Sequence, residues 1–283
     1  MGTLLKTLIY DDEISLTLID STDVVNKAIK YHNLTPLTAA ALGRSMTASL
    51  FMASNLKNKN DKLSVSVSGD GVGGHIICSV DSKLNVRGYI DNPRAELPLN
   101  EKGKLDVKGC VGNGRITVTR SMGLKEPYTG SSQIISGELG EDFSYYYAVS
   151  EQEPTAMALG VKVKNNKCIG AGGVIIQTMP FASEANILKA EELISNFTDI
   201  STQIYELKLE GIIEKYFSGY NFSKRCAKYK CICSKPYIDG VLISLGKTEL
   251  LDIIKQQGKI EVNCEYCDKK YVYFENDVEN LFT

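Results

Sequence analysis

The sequence is short of histidine and tryptophan and of any dominant charge. Its 283 residues include two histidines and no tryptophan, and 32 Lys and Arg stand against 34 Asp and Glu, a formal charge of -2. Each scarcity excludes something. The balanced charge gives no global electrostatic case for nucleic acid or an anionic membrane as partner. No apolar run approaches the ~18 residues that a spanning helix takes, so no membrane segment is expected. The amino terminus, MGTLLKTLIYDDEISL, reaches acidic residues by Asp11 and lacks the apolar core of a signal peptide. Lys6 stands where a myristoylation signal after Gly2 takes Ser or Thr. A cytoplasmic protein is expected. Neither His32 nor His75 falls in a nucleophile or metal motif, and no enzyme active site is legible.

Cysteine, by contrast, is plentiful. A chain of this length buries a core without disulfide staples, and in a reducing compartment several cysteines point to metal or redox chemistry. Cys78, Cys110 and Cys168 are scattered through apolar or glycine-rich, strand-like text and read as small buried hydrophobes. Cys226, Cys231, Cys233, Cys264 and Cys267 crowd into 42 residues near the carboxyl end. Four of them form two close pairs, Cys231 with Cys233 in KCICSK and Cys264 with Cys267 in NCEYCDK.

Residues 4–19 alternate around an acidic turn and predict a β-hairpin. Ser21 offers an N-cap to a first helix, and Thr35-Pro36 opens a longer one whose Ala, Leu and Met content predicts burial over most of its circumference. From about 62 to 136, short β-rich runs separated by Gly and Pro predict an extended antiparallel sheet. A helix over about 137–152 and two strands, TAMALGVKV and CIGAGGVIIQTM, follow. Beyond Pro180 the text changes. Residues 184–217 hold almost no Gly or Pro, and Ile187, Leu188, Leu193, Ile194, Ile200, Ile204, Leu207 and Leu209 recur at helical intervals. Two or three amphipathic helices are predicted, each too short to persist alone, so that their order depends on docking against a neighbour. Gly69-Asp70-Gly71-Val72-Gly73-Gly74 satisfies GxGxxG in form. It lies between two β-like runs, which predicts a glycine-rich turn with no dinucleotide cofactor.

The paired cysteines carry the chemistry. Two short-spaced pairs separated by about a helix and a turn suit tetrahedral zinc, each pair supplying two thiolates from one tight loop. A unit this small builds little core, so the metal is expected to supply most of its folding free energy, on the order of 10–16 kcal/mol for structural zinc. Lys224, Arg225, Lys228, Lys230, Lys269 and Lys270 flank the thiolates and can offset their negative charge. Cys226 lies outside the paired spacing and is not counted as a ligand. A purely structural zinc knuckle fits the spacing, and so does a switch, because close thiols let a sulfenic acid condense to a disulfide. Oxidation then removes the ligands, unfolds the unit and deprives the adjacent helices of whatever they dock against.

The segment CICSKPYIDGVLISLGKTELLDIIKQQGKIEVNCEYCDKKYVYFEND resembles the redox-switch domain of the 33-kDa heat-shock chaperonin family, the redox-regulated holdases of bacteria. VRGYIDNPRAELPLN, GRITVTRSMGLKEPYTG and GELGEDFSYYYAVSEQEPTAMALGV extend the likeness over nearly the whole chain. The resemblance implies an ATP-independent chaperone for unfolded client proteins, inactive when reduced and bound to one zinc, and activated by peroxide or hypochlorite together with unfolding stress. It implies a homodimer when active. It also places the zinc ligands and switch cysteines on Cys231, Cys233, Cys264 and Cys267, with disulfides joining Cys231 to Cys233 and Cys264 to Cys267. Cys226 and the three early cysteines stand outside the family's motif. The expected fold is α+β: an N-terminal antiparallel-sheet domain with packed helices as chaperone core over 1–180, a metastable helical linker over 181–220, and a small C-terminal zinc-binding redox-switch domain over 221–283.

Two other functions compete. A zinc module that binds nucleic acid could stack bases on Tyr229, Tyr266, Tyr271, Tyr273 and Phe274, although Asp239, Glu261, Glu265 and Asp268 balance much of the basic charge. A disulfide oxidoreductase could use Cys264 and Cys267, but no thioredoxin-like βαβ pattern surrounds them. The expectation is therefore a chaperone without enzymatic turnover, and without membrane or nucleic-acid partner.

Overall fold

The computed structural model describes residues 1–123 and 126–282. The chain divides into two compact units, Met1–Lys230 and Cys231–Thr283. In the first, β1 (Gly2–Ile9) and β2 (Ile14–Asp20) form the expected hairpin and lead into α1 (Thr22–His32) and α2 (Pro36–Ser54). Strands β3 (Lys62–Gly69), β4 (Ile76–Asp81) and β5 (Asn85–Ile90) follow, then a short α3 (Val107–Val111), β6 (Gly114–Ser121) and β7 (Tyr128–Gln133). The helix expected over 137–152 is α4 (Leu139–Tyr146) continued by one π-helical turn, Tyr147–Glu151. Two long strands, β8 (Thr155–Lys164) and β9 (Lys167–Thr178), then α5 (Glu184–Ser195), α6 (Ile200–Tyr216) and β10 (Ser223–Tyr229) complete the unit.

All ten strands join one sheet in the order β7-β6-β3-β4-β5-β10-β1-β2-β9-β8. Neighbours run antiparallel except β10 with β5, a short parallel pairing of Lys228 with Asn85 and Tyr229 with Val86. Period-two alternation decides what each face buries. Leu63, Val65 and Val67 of β3, Ile76, Cys78 and Val80 of β4, and Val86 and Ile90 of β5 are buried with α1 and α2 in the main core. The longer helix is buried nearly all round, as its composition predicts, from Leu37 to Ala53 with only Arg44 partly exposed. Thr35 caps it, accepting the Thr38 N–H at 3.2 Å. The hydroxyls of Ser45, Thr47 and Ser49 donate to the carbonyls four residues back, at 2.7–3.0 Å, which removes the cost of burying them. Ser21 stands at the first helix's N-cap position, yet its hydroxyl bonds Thr47 Oγ1 at 2.7 Å while Asp20 Oδ1 accepts the Thr22 N–H.

The second face of β1, β2 and β9 is also covered. Leu5, Ile9, Ile14, Leu16, Leu18, Val174 and Ile176 pack against Leu193, Phe197, Ile200, Ile204, Leu209, Ile212 and Phe217. The amphipathic helices of 184–217 thus find their docking surface on the sheet of their own unit, whereas the sequence pointed to the cysteine unit beside them. Leu188 and Leu207, counted in the periodic pattern, face solvent. Helix α6 is two pieces rather than one, because Lys208 sits at φ 59°, ψ 178°.

Ser223–Tyr229, expected with the cysteine pairs, lies in the middle of the large sheet, in register with β1 from Gly2↔Ala227 to Lys6↔Ser223. The compact units accordingly divide after Lys230 rather than at 220. The GxGxxG text is the β3–β4 turn. Its amides donate to the backbone of α3, Gly71 to Val111 O at 3.1 Å and Gly73 to Cys110 O at 2.9 Å. A Cβ on Gly69 would stand 1.9 Å from Val111 O, so the glycines serve close approach of two backbones.

In the second unit α7 (Lys235–Leu245) and α8 (Lys247–Gln257) precede a hairpin, β11 (Ile260–Asn263) with β12 (Lys270–Tyr273), and α9 (Glu275–Leu281). Its core is small: Ile238, Leu242, Leu250, Ile254, Ile260, Tyr273 and Val278 are its buried cluster. No helix among the described residues is long and apolar enough to cross a membrane.

Candidate metal centre

The two cysteine pairs come from different kinds of local structure. Cys231 and Cys233 lie in the extended segment that leads into α7, where Ser234 caps the helix by accepting the Tyr237 N–H and Pro236 occupies the first turn. Cys264 to Cys267 is the tight turn of the β11–β12 hairpin. There Cys264 O accepts the N–H groups of Cys267 at 3.2 Å and Asp268 at 2.9 Å, and the Cys264 N–H donates to Lys269 O at 2.9 Å. Asp268, at φ 56°, turns the chain back into β12.

All four sulfurs lie within 4.8 Å of one another. Across the pairs, Cys233 Sγ lies 3.3 Å from Cys267 Sγ and Cys231 Sγ 3.6 Å from Cys264 Sγ. A tetrahedron of sulfurs each about 2.3 Å from a zinc ion has edges of about 3.8 Å, so the cluster is of the size a four-thiolate metal site needs. The donors fit the chemistry too, since thiolates suit zinc and other soft ions. All four predicted ligands are brought together, and Cys226 is not among them; it lies exposed on β10.

Electrostatics set Cys233 apart from the early thiols and from Cys264 and Cys267. Burial resists ionisation of Cys233, but the Tyr271 hydroxyl, donating at 3.3 Å, and the neighbouring thiols outweigh it and bring the pKa down to about 7. Desolvation pushes Cys264 up to about 11 and Cys267 upward as well. Cys78 and Cys168, buried in the first unit, are pushed up to about 12 by desolvation, and Cys110 to about 11. Thiols so placed are poor nucleophiles at neutral pH.

Two of the six cations thought to flank the site have partners other than the sulfurs. Arg225 donates to the carbonyls of Ser54, at 3.1 Å, and Ser82 in the first unit. Lys270 reaches Glu261 at 3.4 Å. Of the aromatics offered for base stacking, Tyr229 packs on Tyr31 with its hydroxyl on Gly88 O, and Tyr273 is buried with its hydroxyl on Asp239. His32 meets the Tyr229 hydroxyl at 3.1 Å and His75 meets Asp91 at 2.7 Å, so both histidines have structural partners. Tyr271 escaped the sequence reading as a hydrogen-bond donor to the site. The signal lay in its place, four residues beyond Cys267 on the strand that leaves the turn.

A family model described as Hsp33 protein matches residues 2–274. The chain belongs to the Hsp33 family. Its relatives named 33 kDa chaperonin include one of Ruminiclostridium cellulolyticum, 43% identical over 92% of this chain and 91% of that one. Another, of Bacillus subtilis, is 39% identical over 99% and 98%. The crystal structure of the Hsp33 homologue of Thermotoga maritima superposes with a TM-score of 0.91 at 33% identity, covering 99% of this chain and 97% of that one. The α+β architecture is thus that of an Hsp33 structure, and the four-cysteine cluster fits the family's C-terminal metal-binding region.

Proposed function

We propose that this protein is a redox-regulated, ATP-independent holdase whose reduced form, holding one zinc through Cys231, Cys233, Cys264 and Cys267, is inactive. The observation that carries the reading is the four-sulfur cluster in a unit with so little apolar core. When bound, zinc supplies a fixed positive centre that joins the α7 entry segment to the β11–β12 turn. The protein's own thiols do the rest. In each pair one thiolate attacks a peroxide oxygen, the O–O bond breaks to give a sulfenic acid and a hydroxide that takes up a proton, and the second thiol displaces water from the sulfenic sulfur to leave a disulfide. Two disulfides, Cys231–Cys233 and Cys264–Cys267, consume two peroxides and four ligands. Because metal binding supplies the folding free energy of such a unit, oxidation unfolds it.

The unit from Cys231 onward acts as the switch and 181–220 as a metastable linker on a chaperone core of 1–180 whose sheet β10 completes. Chain continuity supports the coupling. One residue, Lys230, separates Cys231 from β10; its N–H donates to Val86 O at 2.9 Å, and the Tyr229 hydroxyl at the strand's end donates to Gly88 O at 2.9 Å. The linker helices lie one short step upstream, and one of them is already broken at Lys208. Once they lift, the apolar side chains of β2, β9, α5 and α6 become available to unfolded clients. Each Å² of apolar surface they cover contributes roughly 25 cal/mol with no fixed complementarity. Such passive binding requires no nucleotide and no turnover. The active form is a homodimer in the cytoplasm, serving under oxidative stress.

Peroxide treatment at mildly raised temperature tests this directly, with zinc release, thiol count and suppression of client aggregation followed together. Loss of one zinc equivalent and four thiols should accompany the gain of aggregation suppression. Aggregation suppression that is the same before and after oxidation, and the same again with all four cysteines changed to serine, overturns the switch.

A further inference from the structure

Two tyrosines on β12, Tyr271 and Tyr273, lie two positions apart and so on one face of the strand. Their hydroxyls have different partners. Tyr273 donates to Asp239 Oδ1 on α7 at 2.7 Å, a bond that joins hairpin to helix away from the sulfurs. Tyr271 donates to Cys233 Sγ at 3.3 Å, 38 residues away in sequence, and so joins the hairpin carrying Cys264 and Cys267 to the segment carrying the other pair. Its ring packs against the small apolar core of this unit. The hydroxyl is thereby held at a sulfur by packing as well as by the bond itself.

We infer that Tyr271 is a positioning residue for the metal centre, acting through Cys233. The inference rests on the metal-binding part of the proposed function and is independent of chaperone activity. Four thiolates around a divalent cation leave a formal charge of -2 on the cluster. A hydroxyl proton on one sulfur accepts part of that charge and fixes the sulfur's direction, as outer partners of metal ligands do. Electron density drawn toward the O–H is also withdrawn from attack on electrophiles. Tyr271 therefore slows reaction of Cys233 while metal is bound, beyond what the backbone N–H groups at the other sulfurs do for theirs, and retards loss of the metal as a whole.

Substitution of Tyr271 by Phe removes the hydroxyl and keeps the ring; Tyr273→Phe removes the other hydroxyl of the same strand and serves as control. In the full-length protein loaded with cobalt(II), the thiolate-to-metal charge-transfer band of Tyr271→Phe should move to lower energy, while Tyr273→Phe leaves it in place. Transfer of zinc to a chromogenic chelator should be about tenfold faster in Tyr271→Phe, the low end of what outer-partner substitutions cost in metal affinity. A band unmoved by Tyr271→Phe, or moved equally by both substitutions, overturns the role assigned to Tyr271. Alkylation offers a second check: limited labelling of the zinc form, mapped by mass spectrometry, should reach Cys233 several-fold faster in Tyr271→Phe than in wild type or Tyr273→Phe. Labelling of Cys233 at the same rate in all three is the contrary result. Wild-type protein that shows no thiolate band with cobalt removes the metal reading itself, which separates the two failures.

Discussion

The first unit and the second solve the same problem by different means. Met1–Lys230 buries two apolar clusters, one on each face of a ten-stranded sheet, and of its four cysteines Cys78, Cys110 and Cys168 are packed as hydrophobes and hard to ionise, while Cys226 lies exposed on β10. Cys231–Thr283 has a single small cluster and four cysteines whose sulfurs face one another. The same residue type is therefore inert where apolar packing surrounds it and addressable where sulfurs are gathered for a metal. On the proposed function this difference locates sensitivity: a unit held by packing should resist an oxidant, and a unit held by metal ligands should not.

Metal removal tests the contrast most severely. Chelation of the reduced protein, or Cys264→Ser with Cys267→Ser, should take away a term on the order of 10–16 kcal/mol and unfold residues 231–282. Amide hydrogen exchange should then be fast throughout the second unit while the strands of the first stay protected. Protection surviving in α7 and α8 would mean that the seven-residue core suffices. The reverse experiment is Phe51→Ala, at a fully buried position of α2. It should destabilise the first unit by about 3–5 kcal/mol through the cavity left behind, with zinc content unchanged. A fall in zinc content alongside the loss of stability would erase the independence of the two units.

How much of this was legible in sequence follows the same division. The metal cluster was readable because its ligands are a rare residue type at short spacing, and all four sulfurs meet as the spacing requires. Helix α2 was readable because Thr35-Pro36 and an all-round apolar composition are local signals. Strand β10 was not: SKRCAKY carries three cations and one buried side chain, Ala227, and its place in the sheet depends on pairing with Gly2–Lys6 more than two hundred residues away. Those cations read as neighbours of thiolates, whereas Arg225 in fact secures two carbonyls of the first unit. The docking surface of α5 and α6 was hidden for a related reason. Burial on both faces of β2 and β9 shows only when the helices are laid on them.

Smaller effects sharpen the boundary between packed core and linker inside the first unit. Lys208 holds a backbone conformation close to one reserved for glycine, at a cost of about 1–3 kcal/mol. Glycine there relieves the strain but costs about 0.5–1 kcal/mol of extra chain entropy on folding. Lys208→Gly should thus stabilise α6 by about 1 kcal/mol, raising its exchange protection several-fold and the temperature at which oxidised protein becomes active. A loss of protection would show that the break is favoured by its surroundings.

The finest test lies at Glu13, in the β1–β2 turn. Its carboxylate accepts from the Ser183 hydroxyl at 2.6 Å, the Ser183 N–H at 2.8 Å and Asn186 Nδ2 at 2.9 Å, fastening the first turn of α5 to the sheet. Those bonds, Ser183's first, hold its pKa below the usual glutamate range. A carboxyl whose pKa is depressed by folding contributes stability that is present above its unfolded value, about 4.3, and lost as pH falls through the folded one. Exchange protection of residues 183–187 should therefore be constant near neutrality and decline in the acid range before that of β2 and β9. Glu13→Gln should lower it a few-fold at neutral pH and abolish the acid dependence, leaving the metal centre untouched. Acid dependence that persists in Glu13→Gln would assign the fastening of α5 to other groups and leave the linker tied down by apolar contacts alone.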